Sequence, residues 1–268
     1  MPGGATAAKD GAKALPCYRS GVTSSVPAVA ESVRPRNGSA GPLEATWLGE
    51  IPYREAWALQ HELAAARADG RIADRLLLVE HPSVLTLGRH ADEQHILATP
   101  DDLARLGIEV IRVERGGEVT WHGPGQLVAY PILGLADREL LLRPLVRALE
   151  AAMVETCAAF GVAADRLDGH PGCWCDADSP ARRKIGALGI RVERGVSYHG
   201  IALNVDPDLS AFELIDPCGM PGLASTSIAR ERGGSARLGS EAVQRAAGVF
   251  ASSFASLIGA PLAHLGAA

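Results

Sequence analysis

Lysine is nearly missing from this chain. Of 26 basic residues among 268, only Lys9, Lys13 and Lys184 are lysines, and the rest are arginines. Lys9 and Lys13 lie in the N-terminal stretch, so the body keeps one, Lys184. Arginine stays protonated at any working pH, whereas a desolvated lysine can give up its proton. A chain this partial to arginine keeps a lysine either by chance or because a removable proton is needed.

Long apolar runs are missing too. None approaches the roughly 18 residues of a membrane span, so no membrane association is expected. The opening MPGGATAAKDGAKALPCYRS has no apolar h-region, which sets aside a secretory signal and makes a cytoplasmic protein the expectation. A net charge of −5 gives no electrostatic reason to expect nucleic acid. No G-x-x-x-x-G-K-[ST] phosphate loop is present. Cys17, Cys157, Cys173, Cys175 and Cys218 are an odd set, not a disulfide framework for a cytosolic chain of this size. Cys173 and Cys175 fall on one face of a strand pattern, and no second pair stands at zinc-site spacing. No metal and no cofactor is therefore expected.

What is there is an ordinary globular balance, 47% hydrophobic and 21% charged. Residues 1–43 are rich in Gly, Ala, Ser and Pro and read as a disordered extension before a domain spanning 44–268. A flexible loop is expected at 229–240, where Arg, Gly and Ser separate two apolar segments. YREAWALQHELAAARADG has helical spacing at Ala56, Leu59, Leu63 and Ala66, with Gly70 as the stop. TPDDLARLG is a short helix capped by Thr99. A long helix is expected from Asp137 to Phe160, regular from Pro144 onward, with an apolar stripe of Leu145, Leu149, Ala152, Met153 and Phe160. A last helix, capped by Ser240, carries Val243, Ala247, Phe250, Phe254 and Leu257 on one face. DRLLLVEHP, IEVIRVER and QLVAYPIL read as strands, and KIGALGIRV and VSYHGIALNV as a hairpin turning at Gly195. Strands clustered in the middle, without strict βαβ alternation, predict an α+β fold with a mixed or antiparallel sheet flanked by helices.

Four stretches can carry chemistry. RGGEVTWHGPGQ is rich enough in glycine for a ligand to approach the main chain, although a plain hairpin turn is the commoner reading. Within it, His122 either orients a ligand or is a satisfied structural histidine, and position alone does not divide the two. Lys184 opens a strand beside the small residues Gly186, Ala187 and Gly189, where the ordinary reading is a solvated strand end. His199-Gly200 interrupts an otherwise good strand, as a bulge or a close backbone approach would. In FELIDPCGMPG, Cys218 sits where Pro217, Gly219, Pro221 and Gly222 forbid a regular element. A thiol there is accessible, and an ammonium about 4 Å away would favour its thiolate by on the order of 4 kcal/mol at an effective dielectric near 20. Cys218 and Lys184 can thus make a nucleophile–base pair, if the fold brings them together.

Taken together, LLLVEHPSVLTLGRH, RGGEVTWHGPGQLVAYPIL, KIGALGIRVERGVSYHGIALNV and DPCGMPGLASTSI resemble the lipoyl(octanoyl) transferase family, in the order expected there. The likeness covers residues 44–258. It implies the catalytic-domain fold shared by biotin and lipoate protein ligases, and an acyltransferase. Carried onto matching positions, Cys218 is the acyl-thioester nucleophile and Lys184 the lysine that activates it. The implied substrate-binding positions are Arg115, Gly116, Gly117, Glu118, Val119, Thr120, Trp121 and His122. Ala187, Leu188 and Gly189 form a second such group, and Gly200, Ile201 and Ala202 a third. The implied donor is octanoyl-acyl carrier protein. The implied acceptors are lipoyl domains of 2-oxo acid dehydrogenase complexes and the glycine cleavage H protein, served by a monomer. GCWCD departs from the aliphatic residues expected there, without touching a catalytic role. The rival readings are an ATP-dependent lipoate or biotin ligase of the same fold, which would need no nucleophilic cysteine, and a non-catalytic acyl-carrier-binding protein.

Overall fold

Alternation with a period of two organises the centre of the protein. In β2 (Arg75–Glu80), Leu76 and Leu78 enter one buried cluster while Leu77 and Val79 enter another. In β6 (Gln126–Ile132), Leu127 and Ala129 part from Val128 and Tyr130 in the same way. A strand sorted like this is covered on both faces, which is why its sequence is a continuous apolar run.

The computed structural model describes residues 41–233, 238 and 241–267, the last four by backbone only. Beyond β2 and β6, its elements are β1 (Leu43–Glu50), α1 (Tyr53–Ala68), β3 (Val84–Leu87), α2 (Pro100–Leu106), β4 (Glu109–Arg112) and β5 (Val119–His122). Then come α3 (Leu142–Ala159), β7 (Asp165–Leu167), β8 (His170–Cys175), β9 (Arg183–Glu193) and β10 (Val196–Asn204). The chain closes with α4 (Ile228–Glu231), α5 (Glu241–Leu257) and β11 (Leu262–Ala267). Eight strands form one mixed sheet in the order β11-β1-β2-β6-β10-β9-β8-β7, and β4-β3-β5 form a smaller one. β1 runs parallel to β11 and β2, while the ladder from β2 onward is antiparallel. The expected α+β architecture is what the chain adopts.

Helices α3 and α5 cover one face of the large sheet with the stripes read from the sequence. Leu145, Leu149, Ala152 and Met153 of α3 and Val243, Ala247, Phe250 and Phe254 of α5 are buried in the main cluster. Each such large side chain contributes about 1.5–3 kcal/mol by leaving water. Helix α1 covers the other face through Ala56, with Leu59 and Leu63 packed alongside. Helix α2 carries the capping box expected at Thr99, and its C-terminal Gly107 is left-handed.

Several boundaries differ from expectation. Leu43, the last residue of the expected extension, is the buried first residue of β1, and its N–H donates to the Pro261 carbonyl. Helix α3 begins at Leu142 rather than Asp137, because Asp137 to Leu140 form a turn closed by Leu140 N–H donating to the Leu135 carbonyl. At the start of the expected flexible loop, residues 229–231 are instead part of a helical turn, Ile228–Glu231, capped by Ser227. Residues 1–40, the core of that loop and the Ser240 cap lie outside the described residues.

The HGPG segment is not a hairpin turn. It carries the chain from β5 in the small sheet to β6 in the large one. Gly125 is left-handed (φ 85°), and a Cβ there would stand 2.4 Å from the Asp206 carbonyl oxygen. Nor does His199-Gly200 break its strand: β10 pairs with β9 without interruption from Val196 to Leu203. The irregularity is a left-handed His199 (φ 56°), followed by a glycine whose Cβ would lie 1.8 Å from the Ala129 oxygen of β6.

Candidate active site

Lys184 does not sit on a solvated strand end. It is 8% exposed, because two segments flank it where β10 no longer reaches. On one side Trp174 of β8 is its register partner. On the other, residues 224–226 run alongside: Lys184 N–H donates to the Ala224 carbonyl, and Thr226 N–H donates back to the Lys184 carbonyl, both at 2.9 Å. Its ammonium donates to the Pro171 carbonyl at 3.1 Å and lies 4.7 Å from the centre of the Trp174 ring. The carbonyl and the aromatic face hold the ammonium in place. Gly172 makes room for this lysine, since a Cβ there would come 2.9 Å from its Cε.

Cys218 completes the pair. Lys184 Nζ stands 3.2 Å from Cys218 Sγ, across 34 residues of sequence. The thiol is held on a single 3-10 turn, Pro217–Gly219, in which Cys218 (φ 59°) and Gly219 (φ 65°) are both left-handed. Left-handed backbone is unfavourable for a residue with a Cβ by about 1–2 kcal/mol. The turn is held in place by Asp216 N–H on the His95 carbonyl at 2.8 Å and Gly219 N–H on the Asp216 carbonyl at 3.0 Å. Backbone strain maintained by surrounding contacts is typical of functional sites. Cys157, Cys173 and Cys175 are buried in the core, where the hydrogen-bonded Cys157 thiol and burial push Cys173, and burial pushes Cys175, well above the usual thiol range. They are inert packing by comparison.

Cys218 and Lys184 open into a cavity of about 390 Å³. Its floor is the β9–β10 hairpin, where register pairs Ala202 with Ala187 and Gly200 with Gly189. These two rungs of small residues, separated by the Ile201–Leu188 rung, leave a trough over the sheet. Gly189 also admits the 113–118 loop, as a Cβ there would lie 2.6 Å from the Gly116 oxygen and 3.2 Å from Arg115 Cδ. All three groups of positions singled out in the sequence meet here: Arg115 to Thr120 with His122, Ala187 to Gly189, and Gly200 to Ala202. Trp121 is the exception. It does not line the cavity, because β5 alternates: Thr120 and His122 face the cavity, while Trp121 turns into the cluster of Leu85, Leu103 and Ile215 and meets Phe212 edge-on.

Behind the cavity runs a buried chain of hydrogen bonds. Arg115 donates to the Thr86 carbonyl at 2.7 Å, to Thr86 Oγ1 at 2.9 Å and to the Gly116 carbonyl at 3.1 Å. Thr86 Oγ1 faces His122 Nε2 at 3.4 Å, and His122 Nδ1 faces Gln126 Oε1 at 2.8 Å. Gln126 Nε2 donates to Asn204 Oδ1, and Asn204 Nδ2 to the Thr226 carbonyl, each at 2.9 Å. Because the Gln126 oxygen can only accept, His122 carries its proton on Nδ1 and accepts on Nε2. Burial pushes His122 down to about 3, so it is neutral. His122 thus ties the Arg115 loop to the segment beside Lys184 while also lining the cavity. No carboxylate pairs with Arg115 among the described residues, and burial pulls its guanidinium below the usual arginine range.

Other lining residues carry no signal in the sequence. Tyr53 comes from α1, Tyr130 from β6, Leu142 and Val146 from α3, and Pro171 from the start of β8. Trp174 lies between the two cysteines of GCWCD, where the cysteines draw attention and the tryptophan supports the lysine.

The chain matches the lipoyl protein ligase A/B catalytic-domain family over residues 52–247. It is 47% identical over 187 residues to an octanoyltransferase of Chloroflexus aggregans, spanning 69% of this chain and 83% of that one. An octanoyltransferase of Mycolicibacterium gilvum is 46% identical over 213 residues, spanning 78% and 84%. Among solved structures, a bi-partite lipoate protein ligase of Thermoplasma acidophilum superposes with a TM-score of 0.61 at 15% identity, over 85% of this chain and 87% of that one. A lipoate-protein ligase A bound with ATP gives 0.58 at 17% identity, over 85% and 89%. At such identities the structural likeness speaks for the fold alone.

Proposed function

The chain belongs to the lipoyl protein ligase A/B catalytic-domain family and is an acyltransferase of octanoyl transfer in protein lipoylation, and from that premise we propose that it works through a thioester on Cys218. In this reading the donor is an octanoyl thioester on the phosphopantetheine arm of acyl carrier protein, and the acceptor is a lysine amine of a lipoyl domain. The observation that carries it is the 3.2 Å contact between Lys184 Nζ and Cys218 Sγ. Lys184 takes the thiol proton, and the resulting ion pair attracts by about 5 kcal/mol at an effective dielectric near 20, before desolvation opposes it. The thiolate attacks the donor carbonyl, forming the new S–C bond. The carrier thiolate leaves and is protonated by the Lys184 ammonium. The acceptor amine then attacks the thioester, its proton passes to Lys184, and Cys218 leaves as thiolate, again paired with the ammonium.

The trough over Ala187, Gly189, Gly200 and Ala202 fits the acyl chain. At ~0.8 kcal/mol per buried CH₂, the six methylenes of an octanoyl chain contribute about 5 kcal/mol of binding. Thioester to amide runs downhill, so the reaction needs no nucleotide. Intact-mass spectrometry after mixing with octanoyl carrier protein tests the covalent step. One octanoyl adduct on Cys218, released by hydroxylamine, is expected, and an unmodified protein while the donor is consumed would refute the thioester. Lys184→Arg keeps the charge but cannot take the proton, so transfer should fall sharply. Normal transfer would reduce Lys184 to an electrostatic partner.

A further inference from the structure

One carboxylate sits where packing would want none. Glu150 is 2% exposed on α3, on the side of the helix that buries Leu149, Ala152 and Met153 in the main cluster. A carboxylate buried among apolar residues is costly unless its oxygens are partnered. Arg147, half-exposed and one turn earlier, donates to Oε2 at 3.2 Å. The other oxygen, Oε1, accepts the Gly172 N–H at 3.1 Å.

That N–H belongs to the same peptide as the Pro171 carbonyl, which accepts from the Lys184 ammonium at 3.1 Å. No described peptide is cis, and in a planar trans peptide the N–H and C=O point in opposite directions. Fixing one end therefore aims the other. The sheet does not fix this peptide. β9 pairs with β8 only from Cys173 onward, and the β7 ladder passes from His170 to Trp174 through a register shift. Gly172 lies off both ladders at φ 135°, a conformation that favours glycine. Glu150 supplies the hold that the ladders leave out.

We propose that Glu150 is a positioning residue for acyl transfer: through the Pro171–Gly172 peptide it aims the carbonyl that keeps the Lys184 ammonium against Cys218 Sγ. The contacts run from Glu150 Oε1 to Gly172 N, from the Pro171 oxygen to Lys184 Nζ, and from Nζ to Sγ, at 3.1, 3.1 and 3.2 Å. This rests on the nucleophile–base reading above. A lysine ammonium is a point charge on a flexible four-carbon stem, so its approach to the thiol is only as fixed as its other partners. Were Nζ to drift from 3.2 Å to about 5 Å, its attraction for the thiolate would fall by about a third. If the full activation is about a hundredfold, losing a third of its free energy is about fivefold in rate.

Two replacements of Glu150 separate reach from charge. Glu150→Asp keeps the charge but is one methylene too short for Gly172, and Glu150→Gln keeps an accepting oxygen at the original reach. The readout is the rate at which iodoacetamide alkylates Cys218 at pH 7, with thermal melts to confirm folding. Glu150→Asp should slow alkylation about fivefold, and Glu150→Gln should restore it to within twofold of the wild type. In octanoyl transfer, kcat should follow the same order while KM for the donor stays unchanged. A residue that acts through Lys184 has nothing to act on in Lys184→Met, so adding Glu150→Asp there should change alkylation less than twofold. A general structural defect would slow both backgrounds alike, and that result overturns the proposal. So does a folded Glu150→Asp within twofold of the wild type, or a larger loss in Glu150→Gln than in Glu150→Asp. Should Glu150→Asp not fold, the Gly172 amide proton of the wild type decides: a downfield resonance supports the bond to Glu150, and an unbonded position overturns it. Wild-type reactivity in Lys184→Met alone strikes instead at the nucleophile–base reading.

Discussion

Replacing Lys184 by methionine keeps an unbranched chain of similar length in the same slot and removes only the charge and its hydrogen bonds. At 3.2 Å from Sγ, the ammonium attracts a thiolate by about 5 kcal/mol at an effective dielectric near 20, and by little more than 1 kcal/mol in bulk water. Lys184 is buried and Cys218 half-buried, so the interaction lies between these limits, with desolvation opposing it. Taking about half of the larger figure leaves roughly 2.5–3 kcal/mol, close to a hundredfold in rate. The assay is alkylation of Cys218 by iodoacetamide at pH 7, followed by peptide mass, which needs no acyl donor. Among the described residues the other thiols are buried, and the peptide mass separates Cys218 from Cys17, so the label on the Cys218 peptide is the readout. The Pro171 carbonyl also loses its donor, which should lower stability by about 1–3 kcal/mol, and a thermal melt measures that separately. If Cys218 in Lys184→Met reacts within threefold of the wild-type rate in a folded protein, the charge at 3.2 Å does not activate the thiol and the nucleophile–base reasoning is wrong.

Burial pushes His81 down to about 4 and His122 to about 3, against about 6.5 in an unfolded chain. A folded value below the unfolded one means the stability is fully present above pH 6.5 and is lost as the pH falls below it. At pH 5 each histidine removes about 2 kcal/mol. Urea melts at pH 7.5 and 5 should differ by about 4 kcal/mol from this pair, and equal midpoints would contradict their buried neutral state. Gly189→Ala drives a Cβ to within 2.6 Å of the Gly116 oxygen, so the 113–118 loop must shift. Such overpacking typically destabilises by about 1–3 kcal/mol. The KM for the acyl donor should rise and the melting temperature fall, and unchanged values for both would mean that the loop does not rest on β9.

The legible part of the fold was the part written in periodicity. The stripe on α3 and the Thr99 cap are local patterns, and the structure keeps both because short-range geometry creates them. Boundaries were less legible where tertiary pairing sets them. Leu43 looks like the end of a polar tail until the Pro261 carbonyl supplies a partner for its N–H. At the site, the glycines pointed to the 115–122 and 187–189 stretches, but Trp121 could be told from its neighbours only once β5 had a face. Tyr53, Leu142, Val146 and Pro171 reach the cavity from elements far apart in sequence, and nothing local marks them.

By itself the sequence determined which residues were unusual: one lysine in an arginine-rich body, one cysteine among chain breakers, and small residues spaced along a hairpin. Those are statements about residue type and local conformation, which backbone sterics and side-chain chemistry govern directly. Only the tertiary structure decided what they do together. The distance of 3.2 Å across 34 residues depends on residues 224–226 taking the place of β10 beside Lys184. The neutral, linking role of His122 depends on burial and on what lies within hydrogen-bond reach. Burial and contact belong to the folded chain as a whole, and no window of sequence contains them.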